Sequence, residues 1–351
     1  MAGGPVPPGD LLRPTIGSRV SFGSVHGYLE VYGADGGALD VAFEIASDAT
    51  GPALLRADVE PRPAGDDRTL FSRLMRVQSL PNGAYVLRAR ATAGGRPVKT
   101  LTRAFDIAPP RNAVAAAASD LFLRVELDML ARPFRREQAL APITLQAFRD
   151  RVPEATRASF DQGVTHLQSA RFADAGASFR DAIRPGVDTS AALTYLAVCL
   201  AATGHDPEAV VIWRQVHDTG GRGLPQVHEW LGDAMMRTRD FRQARSLLEE
   251  AVQWWPSDAR FARPLALVYA ISGRGRDAVR SMERFVRDNP ADLDALLLSL
   301  EWLFDLRRAG LVVRSVAEDV ALARSYRDLY AKGNGPNQPL ASLWLDYLAK
   351  H

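Results

Sequence analysis

The chain has 351 residues, of which 47% are hydrophobic and 24% charged, and its formal net charge is +2. This length accommodates two ordinary domains with cores of their own, and the composition is typical of a soluble globular protein. We expect no direct membrane insertion, because no apolar run reaches roughly 18 residues. We also expect no nucleic-acid partner, because the arginines are interleaved with acidic residues.

The first segment, residues 1–15, is predicted to be a linker. It begins MAGGPVPPGD, which has neither the basic start nor the apolar stretch of a signal peptide. Such a loop-like start favours a chain that is a piece of a longer protein. The chain itself shows no targeting signal, so its compartment stays open, and it would be extracytoplasmic if it belongs to an exported precursor.

Residues 16–108 show the period-two alternation of half-buried strands. The clearest run occupies residues 39–45, and similar runs occupy 55–59 and 85–91, with Gly-, Pro- and Asn-rich turn signals between them. About seven such runs in this length predict a seven-stranded antiparallel β-sandwich.

One string within this domain, LPNGAY at residues 80–85, resembles a turn-into-strand segment of immunoglobulin-like and fibronectin type III-like domains. The resemblance implies that the hydroxyl of Tyr85 donates to nearby backbone and stabilises the fold. The paired cysteines of antibody domains are missing, since Cys199 is the only cysteine, and its apolar helical setting predicts a buried thiol. Tyr28 and Tyr32 are candidate contact aromatics, with plain strand packing as the alternative.

Residues 109–153 form a predicted connector. Apolar residues alternate over 121–127, which predicts either a strand added to the sandwich or an amphipathic segment between the domains. The basic string at 132–136 predicts a solvated bend, and residues 142–151 predict a helix that caps the array that follows.

Small residues recur about every 34 residues in the second half of the chain. They are Gly163, Ala197, Gly232 and Ala266, followed by Leu300 in the fifth position. Twelve residues after each of the first four stands an alanine: Ala175, Ala209, Ala244 and Ala278. Two antiparallel helices pack closely only where small side chains lie at the crossing of their backbones, so this spacing predicts successive helical hairpins.

The pattern resembles the tetratricopeptide repeat (TPR) family over about residues 156–306. The resemblance implies an α-solenoid of about four to five hairpins within residues 154–351, with C-terminal capping helices. The fifth unit matches in its first helix only, so its second helix is predicted at 316–332, and an amphipathic end containing Trp344 follows it. The predicted fold class is therefore multidomain, all-β followed by all-α.

In this family the first helices of the hairpins line a concave groove that binds an extended peptide or a partner's helix. Aromatic and arginine residues tend to dominate interfaces, and the inward positions predicted to bind a protein or peptide partner are Tyr195, Trp230, Asp233, Arg237, Arg260, Arg263 and Leu267. Packing against a neighbouring hairpin is the alternative for Tyr195 and Trp230. A TPR subfamily clamps a peptide's terminal carboxylate with two Asn plus Lys and Arg, and the corresponding positions here lack that set.

The histidines are scattered, and His228-Glu229 lacks the second histidine of a zinc-protease motif. The glycine-containing string at 273–278 follows a helix and not a strand, so it does not match a dinucleotide-binding loop. The sequence therefore predicts no enzyme: no catalytic residue, no metal ligand, and no small-molecule cofactor.

The order of sandwich, connector and TPR array resembles the C-terminal region of bacterial von Willebrand factor A-related multidomain proteins, although their metal-binding Asp-x-Ser-x-Ser loop does not occur here. The predicted function is a non-enzymatic protein–protein interaction scaffold. Two alternatives stay open: a glycan- or surface-binding module that acts through the sandwich, and a hydrolase with an unrecognised site.

Overall fold

The computed structural model describes residues 18–20, 23–33, 38–64, 67–108, 121–130, 132–219 and 223–351. The predicted linker at residues 1–15 lies outside this range. The chain divides into two compact units, of which one comprises Met1–Ala118 with Leu293–His351 and the other Ser119–Asp292. We call them the strand unit and the repeat unit. None of the described helices is long and apolar enough to cross a membrane.

The strand unit contains two β-sheets. Its strands are β1 (Arg19–Val20), β2 (Ser24–Tyr32), β3 (Asp40–Ala46), β4 (Ala53–Val59), β5 (Arg62–Pro63), β6 (Arg68–Arg76), β7 (Gly83–Ala93) and β8 (Arg96–Ile107). One sheet has the order β1-β8-β7-β3-β4 and the other the order β2-β6-β5. All pairings are antiparallel except that of β1 with β8, which is parallel.

The strand count and the pairing correct the predicted seven-stranded antiparallel sandwich. The described part of the chain has eight strands in sheets of five and three. Two of them, β1 and β5, are only two residues long, too short for alternation to reveal them. The sheets approach closely where Gly27 of β2 meets Phe43 of β3, because a Cβ atom at Gly27 would lie 2.7 Å from the Phe43 ring.

Strand β3 is buried on both faces. Its burial pattern leaves only Asp40 exposed, so Glu44, on the polar side of the alternation, is 2% exposed. The carboxylate is 2.8 Å from the guanidinium of Arg88, and Arg56 and Arg90 approach it at 3.2 and 3.4 Å. Three cations therefore compensate the desolvation of one buried carboxylate.

The hydroxyl of Tyr85 donates a 3.0 Å hydrogen bond to the carbonyl of Pro81. The side chain is buried, and burial raises the pKa of its hydroxyl to about 12. The predicted role of Tyr85 in fixing the turn before β7 is therefore present. The immunoglobulin-like assignment itself stays a prediction.

Three C-terminal helices belong to the same compact unit as the strands. They are α12 (Leu293–Arg308), α13 (Val316–Lys332) and α14 (Gln338–Lys350). The indole nitrogen of Trp344 donates a 2.6 Å hydrogen bond to the carbonyl of Ser79, and Arg308 donates to the carbonyl of Gln78 at 2.7 Å. The bounds of α13 match the predicted helix at 316–332. The amphipathic end packs its tryptophan against the turn before β7.

The repeat unit consists of α-helices. After α1 (Leu127–Leu130), α2 (Arg136–Leu140) and α3 (Pro142–Arg149), four hairpins follow: α4 (Glu154–Gln168) with α5 (Phe172–Asp181), α6 (Ser190–Ala202) with α7 (Asp206–Thr219), α8 (Pro225–Arg237) with α9 (Phe241–Trp254), and α10 (Ala262–Ile271) with α11 (Gly275–Asp288). A 3-10 turn, Ala259–Phe261, precedes α10. The predicted helix at 142–151 is present as α3.

The recurring small residues lie at the helix crossings, as predicted. A Cβ atom at Gly163 of α4 would lie 2.6 Å from the ring of Phe179 on α5, and one at Gly232 of α8 would lie 3.1 Å from Leu248 on α9. The recurring alanines are fully buried. Cys199 is also buried, as predicted, and burial raises the pKa of its thiol to about 12.

Candidate functional site: the A-helix face

The first helices of the four hairpins, α4, α6, α8 and α10, form what we call the A-helix face, which is where the sequence predicts partner binding. A segment of the chain's own connector lies along it. We call this segment the strap and define it as residues 121–130 and 132–140. Helix α2 contacts α4 and α6, and α1 contacts α8. Along the strap from its N-terminal to its C-terminal end, its helices therefore contact the third hairpin first, and then the second and the first.

The far end of the strap is tied to the fourth hairpin by backbone hydrogen bonding. The amide of Leu123 donates a 3.0 Å hydrogen bond to the carbonyl of Ala270, and Leu121 forms an isolated parallel bridge with Arg274. Leu123 is buried, whereas its neighbour Phe122 is 70% exposed. An extended segment alternates its side chains in this way, so contact with the A-helix face explains why Leu123 is buried beside an exposed Phe122.

Aromatic side chains hold the middle of the strap. The ring of Phe134 lies 5.8 Å from Trp213 and 5.7 Å from Trp230, edge-on to the latter. Phe148 of α3 stacks on Trp230 at 5.8 Å. Such ring pairs contribute beyond the area they bury. Because Trp213 and Trp230 also contact each other at 6.2 Å, Phe134 completes a cluster of three rings with one tryptophan from each of the second and third hairpins.

Tyr195 anchors the near end of the strap. It is fully buried, and its hydroxyl donates a 2.6 Å hydrogen bond to the carbonyl of Ala139 in α2. The ring also contacts Phe148, Phe160 and Phe179 at 5.2–5.5 Å. Burial raises the pKa of this hydroxyl above its ordinary value, so the group stays a neutral donor.

Charged residues border the strap near its centre. Arg237 of α8 binds Asp206 of α7 through two nitrogens at 2.9 and 2.7 Å, and also donates to the carbonyl of Arg132 in the strap at 3.3 Å. A paired guanidinium of this kind is geometrically fixed. Arg237 therefore links the second hairpin, the third hairpin and the strap.

Two carboxyl groups of α8 have strongly raised pKa values. Burial and the nearby charge of Asp233 raise the pKa of Glu229 to about 7. Burial raises the pKa of Asp233 to about 6, although the cations of Arg237, Arg263 and Arg132 oppose this shift. Glu229 keeps one ion pair, with Arg260 at 3.3 Å. The acidic part of the A-helix face therefore titrates near neutral pH.

The seven predicted partner-binding residues thus occupy three kinds of environment. Tyr195, Trp230, Arg263 and Leu267 are buried, Asp233 and Arg237 are partly exposed, and Arg260 is exposed. Arg263 lies 4.0 Å from Asp292 and over the ring of Phe285. Their binding of an external partner stays a prediction.

Sequence reasoning missed Phe134 and Phe148 as components of this face. The string at 132–136 predicts a solvated bend. Two of its three arginines, Arg132 and Arg135, are exposed, but Phe134 packs against Trp213 and Trp230. Over its described residues the connector adds no strand to either sheet, which excludes the first of its two predicted forms there. The sequence signal for the packing of Phe134 was an aromatic residue directly after Pro133, within a string that is otherwise made of arginines.

Two further aromatic surfaces are exposed. Trp254 is 55% exposed and lines a shallow pocket with residues 255–260, while Trp255 packs against His228 and Phe261. In the strand unit, Tyr32 is 72% exposed. The hydroxyls of Tyr28 and Tyr32 both donate to the carboxylate of Glu30, so all three side chains lie on one face of β2.

Comparison with known proteins identifies repeats in this chain. A family model described as a tetratricopeptide repeat matches residues 137–188 and 231–275. These stretches lie in the repeat unit and together make up less than half of the chain. No curated protein sequence matches the chain significantly.

Solved structures with a partial likeness include MamA, residues 41 to the end, from Desulfovibrio magneticus RS-1. It is 14% identical, with a TM-score of 0.44, and the match covers 52% of this chain and 99% of that one. The pilF protein of Pseudomonas aeruginosa is 22% identical, with a TM-score of 0.44 and coverage of 57% and 89%. A likeness of this degree carries no inference about partner or activity.

Proposed function

We propose that this chain is a non-enzymatic scaffold for protein–protein interaction. Its A-helix face binds an extended segment of a partner, and the strap occupies that face until the partner replaces it. One observation supports this most directly: the face already accommodates a segment that is partly extended and partly helical, through hydrogen bonds to its backbone and through contact of its Phe134 with two tryptophans. TPR grooves bind extended peptides through similar contacts.

The chemistry of the strap defines the expected partner segment. The contacting pair of Trp213 and Trp230 packs against a phenyl ring, and Arg237 offers a guanidinium to a backbone carbonyl. A matching partner would carry an aromatic residue in an extended stretch. Because the strap is covalently attached, its effective concentration is high, so a free segment of equal affinity displaces it poorly.

This proposal is tested with a fluorescein-labelled peptide of the strap's own sequence, residues 121–140, added to the full chain. Anisotropy should show tight binding to a Phe134→Ala variant, whose own strap is weakened, and binding at least about tenfold weaker to the wild type. Arg135→Ala, which changes an exposed neighbour in the strap, is the matched control and should behave as the wild type. Equal or absent binding in all three proteins would contradict the proposal.

The strand unit supports a second candidate function, recognition of a surface glycan. The observation that favours it is the pair Tyr28 and Tyr32, whose hydroxyls are tied to Glu30 while the Tyr32 ring is exposed. Fixed exposed rings stack on sugar faces with little loss of conformational entropy. Glycan-array binding that Tyr32→Ala removes, and Phe122→Ala keeps, would favour this function over the scaffold.

The immunoglobulin-like and von Willebrand factor A-related resemblances also remain proposals. The Tyr85 hydrogen bond supports an immunoglobulin-like strand domain, and the order of strands before repeats is what the von Willebrand factor A-related resemblance implies. An extracytoplasmic location follows only from that resemblance. No observation on the described residues favours the hydrolase alternative.

A further inference from the structure

A cluster of two histidines and one glutamate lies inside the repeat unit, away from the strap contacts described above. His217 is in the last turn of α7, His228 in the first turns of α8, and Glu250 towards the end of α9. One ligand atom from each lies within 4.8 Å of the other two. Both histidines are buried, and Glu250 is partly exposed.

The imidazole rings of His217 and His228 each use Nδ1 in a hydrogen bond to an oxygen atom, which leaves Nε2 as the possible ligand atom. Nδ1 of His217 is 2.9 Å from the carboxylate of Asp218, and Nδ1 of His228 is 3.3 Å from the carbonyl of Leu224. A carboxylate and a carbonyl oxygen only accept, so each Nδ1 carries the hydrogen. In the neutral rings, each Nε2 then carries a lone pair. Carboxylate- or carbonyl-bound histidines of this kind are the usual metal ligands.

The cluster holds an unsatisfied acceptor. The side chain of His217 is 9% exposed, and its Nε2 makes no hydrogen bond among the described residues. The nearest carboxylate, Glu250, is 3.8 Å from it. A buried acceptor without a donor is costly, and a second imidazole and a carboxylate beside it supply further electron pairs but no obvious hydrogen. A cation at the centre would give Nε2 of His217 the partner that it lacks, with His228 and Glu250 as further ligands.

We propose that His217, His228 and Glu250 bind one divalent transition-metal ion, with Zn²⁺ as the best fit to the ligand set. Two imidazoles and one carboxylate form a known three-ligand set for Zn²⁺, which leaves the fourth position to water. Tetrahedral ligand atoms lie roughly 3.4 Å apart when metal–ligand bonds are about 2.0–2.1 Å. Because the three atoms lie within 4.8 Å of one another, side-chain rotations that shorten these separations by up to about 1.4 Å give this geometry. The ion joins the second hairpin to the third.

The test uses the full chain, without added affinity histidines, titrated with Co²⁺ and then with Zn²⁺. Wild type should bind one equivalent of Co²⁺, show the intense visible absorption of tetrahedral cobalt, and lose it when Zn²⁺ displaces the cobalt. Glu250→Gln and His217→Gln should weaken Co²⁺ binding more than about 100-fold. Asp218→Asn changes the exposed carboxylate that accepts from Nδ1 of His217, and it should weaken Co²⁺ binding about 10- to 100-fold.

His205→Gln is the matched control, because His205 is an exposed histidine of the same hairpin as His217, and it should bind Co²⁺ as the wild type does. Thermal unfolding in EDTA separates loss of folding from loss of binding. If His217→Gln does not fold, Glu250→Gln and Asp218→Asn decide the question. Absence of a stoichiometric site in the wild type, or unchanged binding in Glu250→Gln and Asp218→Asn, overturns the proposal.

Discussion

The contacts that stabilise the repeat unit join residues close together in the sequence, whereas a contact that stabilises the strand unit joins residues far apart. In the repeat unit, the crossing residues Gly163 and Phe179 are 16 positions apart, and Gly232 and Leu248 repeat that contact at the same spacing in the third hairpin. In the strand unit, Trp344 donates to the carbonyl of Ser79 across 265 positions. Local contacts leave a periodic trace in the sequence, whereas a single long-range hydrogen bond does not. The repeat unit was therefore predictable, and the packing of the last helices was not.

The largest expected effect concerns the buried charge of the strand unit. Glu44→Ala should lower the free energy of unfolding by about 3–5 kcal/mol, because it leaves the buried Arg88 without its carboxylate. Urea denaturation measures this change. Asp58→Asn removes an exposed carboxylate that also pairs with Arg56, and it should change stability by less than about 1 kcal/mol. Equal decreases in the free energy of unfolding in the two variants would mean that the buried carboxylate of Glu44 stabilises the fold no more than an exposed one does.

A glycine substitution tests the local packing of the repeat unit. Gly163→Ala should lower the free energy of unfolding by about 1–3 kcal/mol, since the added Cβ meets the Phe179 ring at 2.6 Å. Gly176→Ala in α5 is the matched control, because its added Cβ meets Leu196 at an ordinary 3.6 Å. That control should be neutral or stabilising by up to about 1 kcal/mol. A stabilising Gly163→Ala would contradict close packing at the crossing.

The pH dependence of stability distinguishes the A-helix face from the rest of the chain. Because the pKa of Glu229 is about 7 and that of Asp233 about 6 when folded, both carboxyls hold protons that the unfolded chain releases near pH 4. Their contribution to stability is therefore full below about pH 4 and is lost as the pH rises to about 7.

The variant Glu229→Gln should flatten this pH dependence, by on the order of 1 kcal/mol between pH 5 and 8, since Glu229 is partly exposed and solvent screens it. Thermal melts across this pH range measure the effect. Glu208→Gln, an exposed glutamate on α7, should leave the pH dependence unchanged. An unchanged profile in Glu229→Gln would show that the pKa of this carboxyl is not raised.

The smallest expected effect concerns one hydrogen bond of the strap. Tyr195→Phe keeps the ring but removes the donor to the carbonyl of Ala139, which should cost about 0.5–1.5 kcal/mol. The effect should be local, with faster amide exchange at residues 136–140 and unchanged exchange in the hairpins. If exchange became faster in the hairpins as much as at residues 136–140, Tyr195 would stabilise the hairpin core and not the strap in particular.

The sequence predicted the hairpins, the bounds of α13 and the hydrogen bond of Tyr85, because each depends on neighbours within one supersecondary unit. It did not predict the strap, because the alternation at residues 121–127 indicates that one face is buried but not what covers it. It also missed the cluster of His217, His228 and Glu250. These residues come from three helices, so their spacing matches no linear motif.

Among the candidate partner-binding residues, Tyr195 and Trp230 were selected as inward-facing aromatics, and they do lie on the A-helix face in contact with the strap or its neighbour α3. Their inward direction follows from the helical repeat. Their burial does not, because it depends on Phe134, Ala139 and Phe148 from a segment with no repeat of its own. The repeat sequence thus determines where the A-helix face lies. It does not determine that the strap and α3 cover this face.

Hydrogen exchange along residues 121–140 of the full chain tests the central claim most directly. If the strap binds the A-helix face, the amide of Leu123, which donates to the carbonyl of Ala270, should exchange slowly in the wild type. It should exchange much faster in Phe134→Ala, while the amides of α6 and α8 stay protected. Rapid exchange throughout residues 121–140 of the wild type, beside protected hairpins, would contradict the account.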